Sequence, residues 1–122
     1  MKSRIINLTI TGCLGRMGQQ LIKSATKDNK FKIISLTENK ILRKKISGLL
    51  PTLNSEEAFK KSDVIIDFTI PECTIEVLNI AAKQKKRVII GTTGFTLKEE
   101  NIIKKISTKN SNSQSWKYES WN

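Results

Sequence analysis

Four strand-length apolar runs recur along the chain, and the stretches between them carry helical spacing. Ile5-Ile6, Leu8 and Ile10 form the first run, and Phe31 to Leu36 the second. Asp63 to Phe68 holds the third and Arg87 to Ile90 the fourth, each built on a continuous Val-Ile-Ile core. Such short runs suit strands buried on both faces. From Arg16, Met17, Leu21 and Ala25 stand four residues apart with Ile22 beside them, which predicts a helix that fades at Lys27-Asp28-Asn29. Ser55 before Glu56-Glu57 marks a short helix ending near Lys61, because a hydroxyl caps free amides and acids favour the positive helix end. Pro71 suits a first helical turn, where its missing N–H costs nothing. Ile75, Leu78 and Ala82 then line one face of that helix. Thr96 to Ile106 is a final amphipathic helix, and Asn39 to Gly48 is a basic connection without a clear pattern. Strands that alternate with helices pair in parallel through right-handed crossovers. The expected class is therefore α/β, a Rossmann-like doubly wound parallel sheet.

The turn after the first strand reads Gly12-Cys13-Leu14-Gly15-Arg16-Met17-Gly18 and opens directly into a helix. A pyrophosphate is negatively charged and needs close approach to backbone. Glycines clear the side chains that would block it, and a helix start offers unpaired N–H groups. Gly12 would make the tight turn, Gly15 would admit the phosphates and Gly18 would let helix and strand pack. The spacing departs from the generic fingerprint by one residue between the first two glycines. A plain tight turn is the alternative.

Glu38 stands at the end of the second strand, 20 residues after Gly18. An acid there accepts hydrogen bonds from adenosine ribose hydroxyls. Lys40 follows closely and could pair with a 2′-phosphate, so both NADH and NADPH stand as candidate cofactors. Arg43 and Lys44 are weaker candidates for that contact. Asp67-Phe68-Thr69-Ile70-Pro71 ends the third strand and Gly91-Thr92-Thr93-Gly94 the fourth. Ligands of open parallel sheets bind beyond the carboxyl ends of strands, so these turns converge on the crevice that Gly12 faces. Asp67 is open to a purely turn-stabilising role, and Glu72 and Cys73 read as bystanders at a helix start.

Taken in order, G-C-L-G-R-M-G, Glu38, D-F-T-I-P and G-T-T-G-F resemble the cofactor domain of the 4-hydroxy-tetrahydrodipicolinate reductase family over residues 4 to about 108. The resemblance implies that Gly12, Cys13, Leu14, Gly15, Arg16 and Met17 bind pyrophosphate and Glu38 the ribose. It places Gly91, Thr92 and Thr93 at the nicotinamide end, with Phe68 and Thr69 lining that pocket. The implied activity is hydride transfer from NADH or NADPH to a cyclic imine dicarboxylate in lysine and diaminopimelate synthesis. Family members continue into a substrate domain with a motif of the form H-H-x-x-K-x-D-x-P-S-G-T, which clamps the dicarboxylate and supplies the acid. The present residues include no histidine. The expectation is thus a dinucleotide-binding domain over residues 1–108, with the substrate domain absent and turnover weak or nil. No residue here is assigned a catalytic role.

Residues 109–122 break the pattern and are expected to be an aberrant tail. Shifting the reading frame by one base provides a test. The codon spanning Trp116 and Lys117 must become GGA, glycine, and so must the one spanning Trp121 and Asn122. The remaining codons allow K-I-P-I-L-K-A-G-N-M-S-L-G, a strand followed by the A-x-N-x-S-x-G segment of the family. A frameshift near codon 109 is the expectation that follows.

Partners are bounded by charge and composition. The net charge is +11, and eighteen of the 22 basic residues are lysines scattered among few aromatics. Scattered lysines suit a solvated face more than a nucleic-acid groove. No run approaches a membrane span, nothing resembles a secretory leader, and Cys13 and Cys73 suggest neither disulfide nor metal. A cytoplasmic setting and a dinucleotide partner are expected, without specific nucleic acid or membrane, and without the family's homo-oligomer. Two rivals stay open: an inert, partly folded relic, and a basic nucleic-acid-binding module.

Overall fold

A computed structural model of the chain describes residues 4–110 and 118–120. The elements run β1 (Ile6–Thr11), α1 (Arg16–Thr26), β2 (Phe31–Thr37), α2 (Glu56–Phe59), β3 (Val64–Asp67), α3 (Pro71–Lys83), β4 (Arg87–Ile90), α4 (Leu97–Asn110) and β5 (Tyr118–Ser120). The strands form one sheet in the order β2-β1-β3-β4-β5, and every pairing is parallel. This is the doubly wound α/β arrangement. The chain leaves β1 for β2 on one side, then returns past β1 to lay β3 on the other. A crevice opens where those connections diverge, beyond the carboxyl ends of β1 and β3.

Alternation along β1 splits its side chains between two cores. Ile10 joins Cys13, Ile22 and Leu36 in one buried cluster, under α1. Across the sheet, Phe59, Ile65, Val77, Leu78, Val88 and Ile106 share the other, which α2, α3 and α4 build. Each large apolar side chain buried in this way contributes about 1.5–3 kcal/mol relative to exposure. Thr9 and Thr11 face the second side, where Thr9 bonds Ser62 and Thr11 bonds Asp67.

Two helix faces differ from the expected stripes. On α1 the buried residues are Gly18, Ile22 and Ala25, whereas Met17 is 41% exposed. The cause is Gly18: a Cβ there would collide with Gly12 O and Cys13 Cα, so this residue must face the strand. On α3, Thr74, Val77, Leu78, Ala81 and Ala82 are buried, and Ile75 packs only at the edge. This helix touches both the sheet and α4, so its buried face is wider than one stripe.

Local signals fall where they were read. Ser55 Oγ accepts the Ala58 N–H at 3.0 Å and caps α2. Pro71 occupies the first turn of α3. Thr96 and Glu99 form a reciprocal capping box at the start of α4, with bonds of 2.9 and 3.1 Å. The connection after β2 resolves into a tight turn, in which Ile46 and Leu49 exchange two backbone bonds. Ser47 and Gly48 both have positive φ, as that type of turn requires.

Helix α4 continues to Asn110, and Tyr118–Ser120 pair in parallel with β4. An Arg87–Glu119 ion pair of 3.0 Å joins these two strands. Residues 111–117 and 121–122 lie outside the described residues, and with them most of the segment read as frameshifted. Among the described residues no helix is long and apolar enough to cross a membrane.

Candidate functional site

The turn after β1 uses its three glycines for three different reasons. Gly12 has φ +65°, and a Cβ there would meet Phe68 O and Thr69 Cγ2 at 2.8 Å. Gly18 allows the helix to sit on the turn. Gly15 is constrained by neither: its only near neighbour would be Gly12 O at 3.4 Å, an ordinary contact. The outer side of Gly15 is therefore open. Gly15 is also the residue before α1, and no side chain caps that helix start. The first N–H groups of a helix have no partner within it, and they carry the positive end of its dipole. Leu14, Arg16 and Met17 are exposed around this opening. Cys13 is different: its side chain is buried in the core, and its N–H donates to Thr37 O at 3.2 Å. Desolvation, reinforced by the Glu38 charge, pushes its thiol pKa up to about 11.

Glu38 follows β2 and reaches the same turn. Its Oε2 accepts the Leu14 N–H at 3.0 Å, and its Oε1 accepts the Asn39 N–H at 3.0 Å. A carboxylate has about four acceptor sites. Two are used, so two remain for a pair of neighbouring hydroxyls.

A cleft of about 250 Å³ brings together Gly12, Gly15, Glu38, Phe68 and Thr69 from the predicted set. Asn39, Asn54, Ile70 and Cys73 complete its lining. Asn54 was not anticipated, because it precedes a helix cap with no motif around it. Its Oδ1 is buried and has no hydrogen-bond partner among the described residues. Cys73 has its thiol pKa raised, first by burial and then by surrounding carboxylates, so it is a poor nucleophile. Lys40 is exposed and outside this lining. Arg43 and Lys44 border a separate, more apolar groove beside α1, with Leu14, Ile22 and Ile46.

The turn after β4 is stitched to the turn after β3. Gly91 N–H donates to Asp67 O at 2.7 Å, and the Phe68 ring occupies the space a Gly91 side chain would need. Thr92 is turned inward and only 8% exposed. Its Oγ1 accepts the Thr69 N–H at 2.9 Å and donates to Asp67 Oδ2 at 3.1 Å. Thr93 is exposed and lines a neighbouring cleft with Gly94, Phe95 and Tyr118.

These residues fit a dinucleotide. Gly12 and Gly15 leave a backbone cradle at an uncapped helix start. Glu38 holds spare acceptors beside it, and Asn54 Oδ1 is a buried acceptor without a donor among the described residues. Among the described residues no group of three or more His, Cys, Asp or Glu side chains is arranged to hold a metal ion.

Comparison with known proteins points the same way. The family model for the N-terminus of dihydrodipicolinate reductase matches residues 6–115. A 4-hydroxy-tetrahydrodipicolinate reductase of Pelagibacter ubique (strain HTCC1062) is 63% identical over 102 residues, 84% of this chain and 40% of that protein. The dipicolinate-bound dihydrodipicolinate reductase of Paenisporosarcina sp. TG-14 superposes with a TM-score of 0.68 at 23% identity, over 88% of this chain and 44% of that one. The apo scyllo-inositol dehydrogenase of Lactobacillus casei superposes with a TM-score of 0.73 at 17% identity, over 99% and 37% respectively. The chain spans about 40% of the length of the Pelagibacter relative. At these identities the structural likenesses establish the fold alone. With the family match, that fold is a nicotinamide-dinucleotide-binding α/β domain.

Proposed function

The chain belongs to the dihydrodipicolinate reductase N-terminal family, and from that premise we propose that it binds NADH or NADPH as the cofactor domain of a 4-hydroxy-tetrahydrodipicolinate reductase. The observation that carries this reading is the open side of Gly15 at the uncapped start of α1, with the Glu38 carboxylate bonded to the same turn at 3.0 Å. The segment Gly12 to Met17 would take the pyrophosphate on backbone N–H groups. Glu38 would accept the ribose hydroxyls with its two remaining acceptor sites. Phe68, Thr69 and the Gly91–Thr93 turn would hold the nicotinamide end, and Lys40, two residues after Glu38, would be the candidate to meet a 2′-phosphate. When bound, the dinucleotide supplies the hydride for reducing a cyclic imine dicarboxylate. The protein's part is to bind and orient it.

Residues 1–122 on their own are proposed to bind cofactor without turnover. The family's proton donor and dicarboxylate clamp are carried on a histidine-containing motif, and these residues include no histidine.

Thermal unfolding with NADH and with NADPH tests the reading. A ligand that binds only the folded form stabilises it, by about 2.7 kcal/mol at one hundred times its Kd. At least one of the two is expected to raise Tm by several degrees. A cooperatively folded chain whose Tm moves with neither would overturn the proposal. Catalytic turnover by the purified chain would overturn its second part.

A further inference from the structure

Asp67 ends β3 with its side chain fully buried, and it collects hydroxyls from four separate segments. Thr11, at the end of β1, donates to Oδ1 at 2.5 Å. Thr69, in the turn after β3, donates to the same oxygen at 2.9 Å. Thr92, in the turn after β4, donates to Oδ2 at 3.1 Å, and Thr74, on α3, bonds that oxygen too. Four hydroxyl donors fill the roughly four acceptor sites of a carboxylate. Among the described residues no lysine or arginine pairs with it. A buried carboxylate held by neutral donors alone is tolerated only when every lone pair is used.

The parallel register explains the convergence. Thr11 stands opposite Asp67 on the neighbouring strand, and Asp67 opposite Ile90, so Thr92 follows two residues later in the next turn. Asp67 itself does not reach the cleft. It acts on the cleft through Thr69, which lines it, and through Thr92, which precedes the exposed Thr93. Thr92 also accepts the Thr69 N–H, so one hydroxyl locks both turns together.

We propose that Asp67 is a positioning residue: through Thr92 and Thr69 it fixes the turn after β4 against the phosphate turn, and so sets the nicotinamide end of the site. This rests on the dinucleotide reading above. The phosphate turn has further supports away from this hub, in the packing of Gly18 on Gly12 and in the Glu38 bond to the Leu14 N–H. Loosening the Asp67 hub therefore weakens the nicotinamide half selectively and leaves the adenosine-diphosphate half in place.

The test compares NADH with ADP-ribose, which lacks only the nicotinamide. Their dissociation constants are measured by calorimetry on the 122-residue chain as wild type, Thr92→Val, Thr92→Ser and Asp67→Asn. The wild type is expected to prefer NADH by about tenfold, the effect of one well-made buried hydrogen-bonded contact. Thr92→Val, isosteric but without the hydroxyl, should shrink that preference to about threefold or less while ADP-ribose binds as before. Asp67→Asn should do the same, and Thr92→Ser should restore the preference. A Thr92→Val chain that keeps the full preference overturns the proposal. So does a loss of NADH and ADP-ribose binding in equal proportion, which marks a role in folding alone, and so does a wild type without preference. A wild type that binds neither ligand sinks the cofactor reading itself, and this inference with it.

Discussion

The Phe68 ring lies against Gly91, filling the space where a side chain at position 91 would stand. Two turns from different strands are thereby held in van der Waals contact at the mouth of the crevice. Overpacking a filled site costs about 1–3 kcal/mol. Gly91→Ala should destabilise the chain by that amount in urea unfolding. The same change in a Phe68→Ala background should cost much less, because the ring is the obstacle. Equal costs in both backgrounds would show that the contact is not what requires glycine.

Gly15 and Gly18 should separate binding from folding. A Cβ at Gly15 meets only ordinary contact, whereas one at Gly18 collides with Gly12 O. Gly15→Ala should leave stability within about 0.5 kcal/mol, as for an unstrained surface change. Its methyl would stand where phosphate must approach, so dinucleotide affinity should fall at least tenfold, or about 1.4 kcal/mol. Gly18→Ala should lower Tm first. Calorimetric titration beside thermal unfolding reads both effects.

Lys85 offers a stabilising change. It follows α3 with φ +55°, and Lys86 N–H returns to Ala81 O at 2.9 Å, closing a left-handed helix cap. A side chain in that conformation costs about 1–2 kcal/mol that glycine does not. The greater freedom of glycine in the unfolded chain offsets part of this. Lys85→Gly should raise stability by about 0.5–1 kcal/mol, seen as a Tm increase of a few degrees. A decrease would mean that the lysine side chain contributes more than its backbone costs.

Cys13 should make stability fall in alkali. Its thiol pKa is raised from 9.0 to about 11 in the folded chain. Above pH 9 the unfolded chain loses this proton and the folded chain keeps it, so the unfolded state binds fewer protons and stability drops. The contribution is complete below pH 9 and is lost as pH rises to about 11. Comparing wild type with Cys13→Ala across that range isolates the contribution of this thiol. The wild type should lose on the order of 2–3 kcal/mol more than the variant. Parallel pH profiles would refute the assignment.

Much of this fold was legible because its signals are local. The length of the Val-Ile-Ile runs, the glycine turn, Ser55 as a cap and Pro71 in a first turn each depend on a few neighbouring residues. The structure places all of them as read. Gly12, Gly15, Glu38, Phe68 and Thr69 do meet in one cleft, since each sits just beyond a strand end and parallel strands present those ends together. The inward direction of Thr92 and the burial of Cys13 were not legible, since a turn residue carries no mark of which way it faces.

The amino-acid sequence by itself determined the order of elements through α4, the parallel sheet and the position of the glycine turn, because periodicity and turn chemistry act over a few residues. Only the tertiary structure decided which face of α1 and α3 is buried, that Tyr118–Ser120 would join β4, and that Thr11, Thr69, Thr74 and Thr92 would close around Asp67. Those outcomes depend on strand register and on close approach between distant segments. The contacts that fix them join residues up to 56 positions apart, and no local pattern records such a meeting.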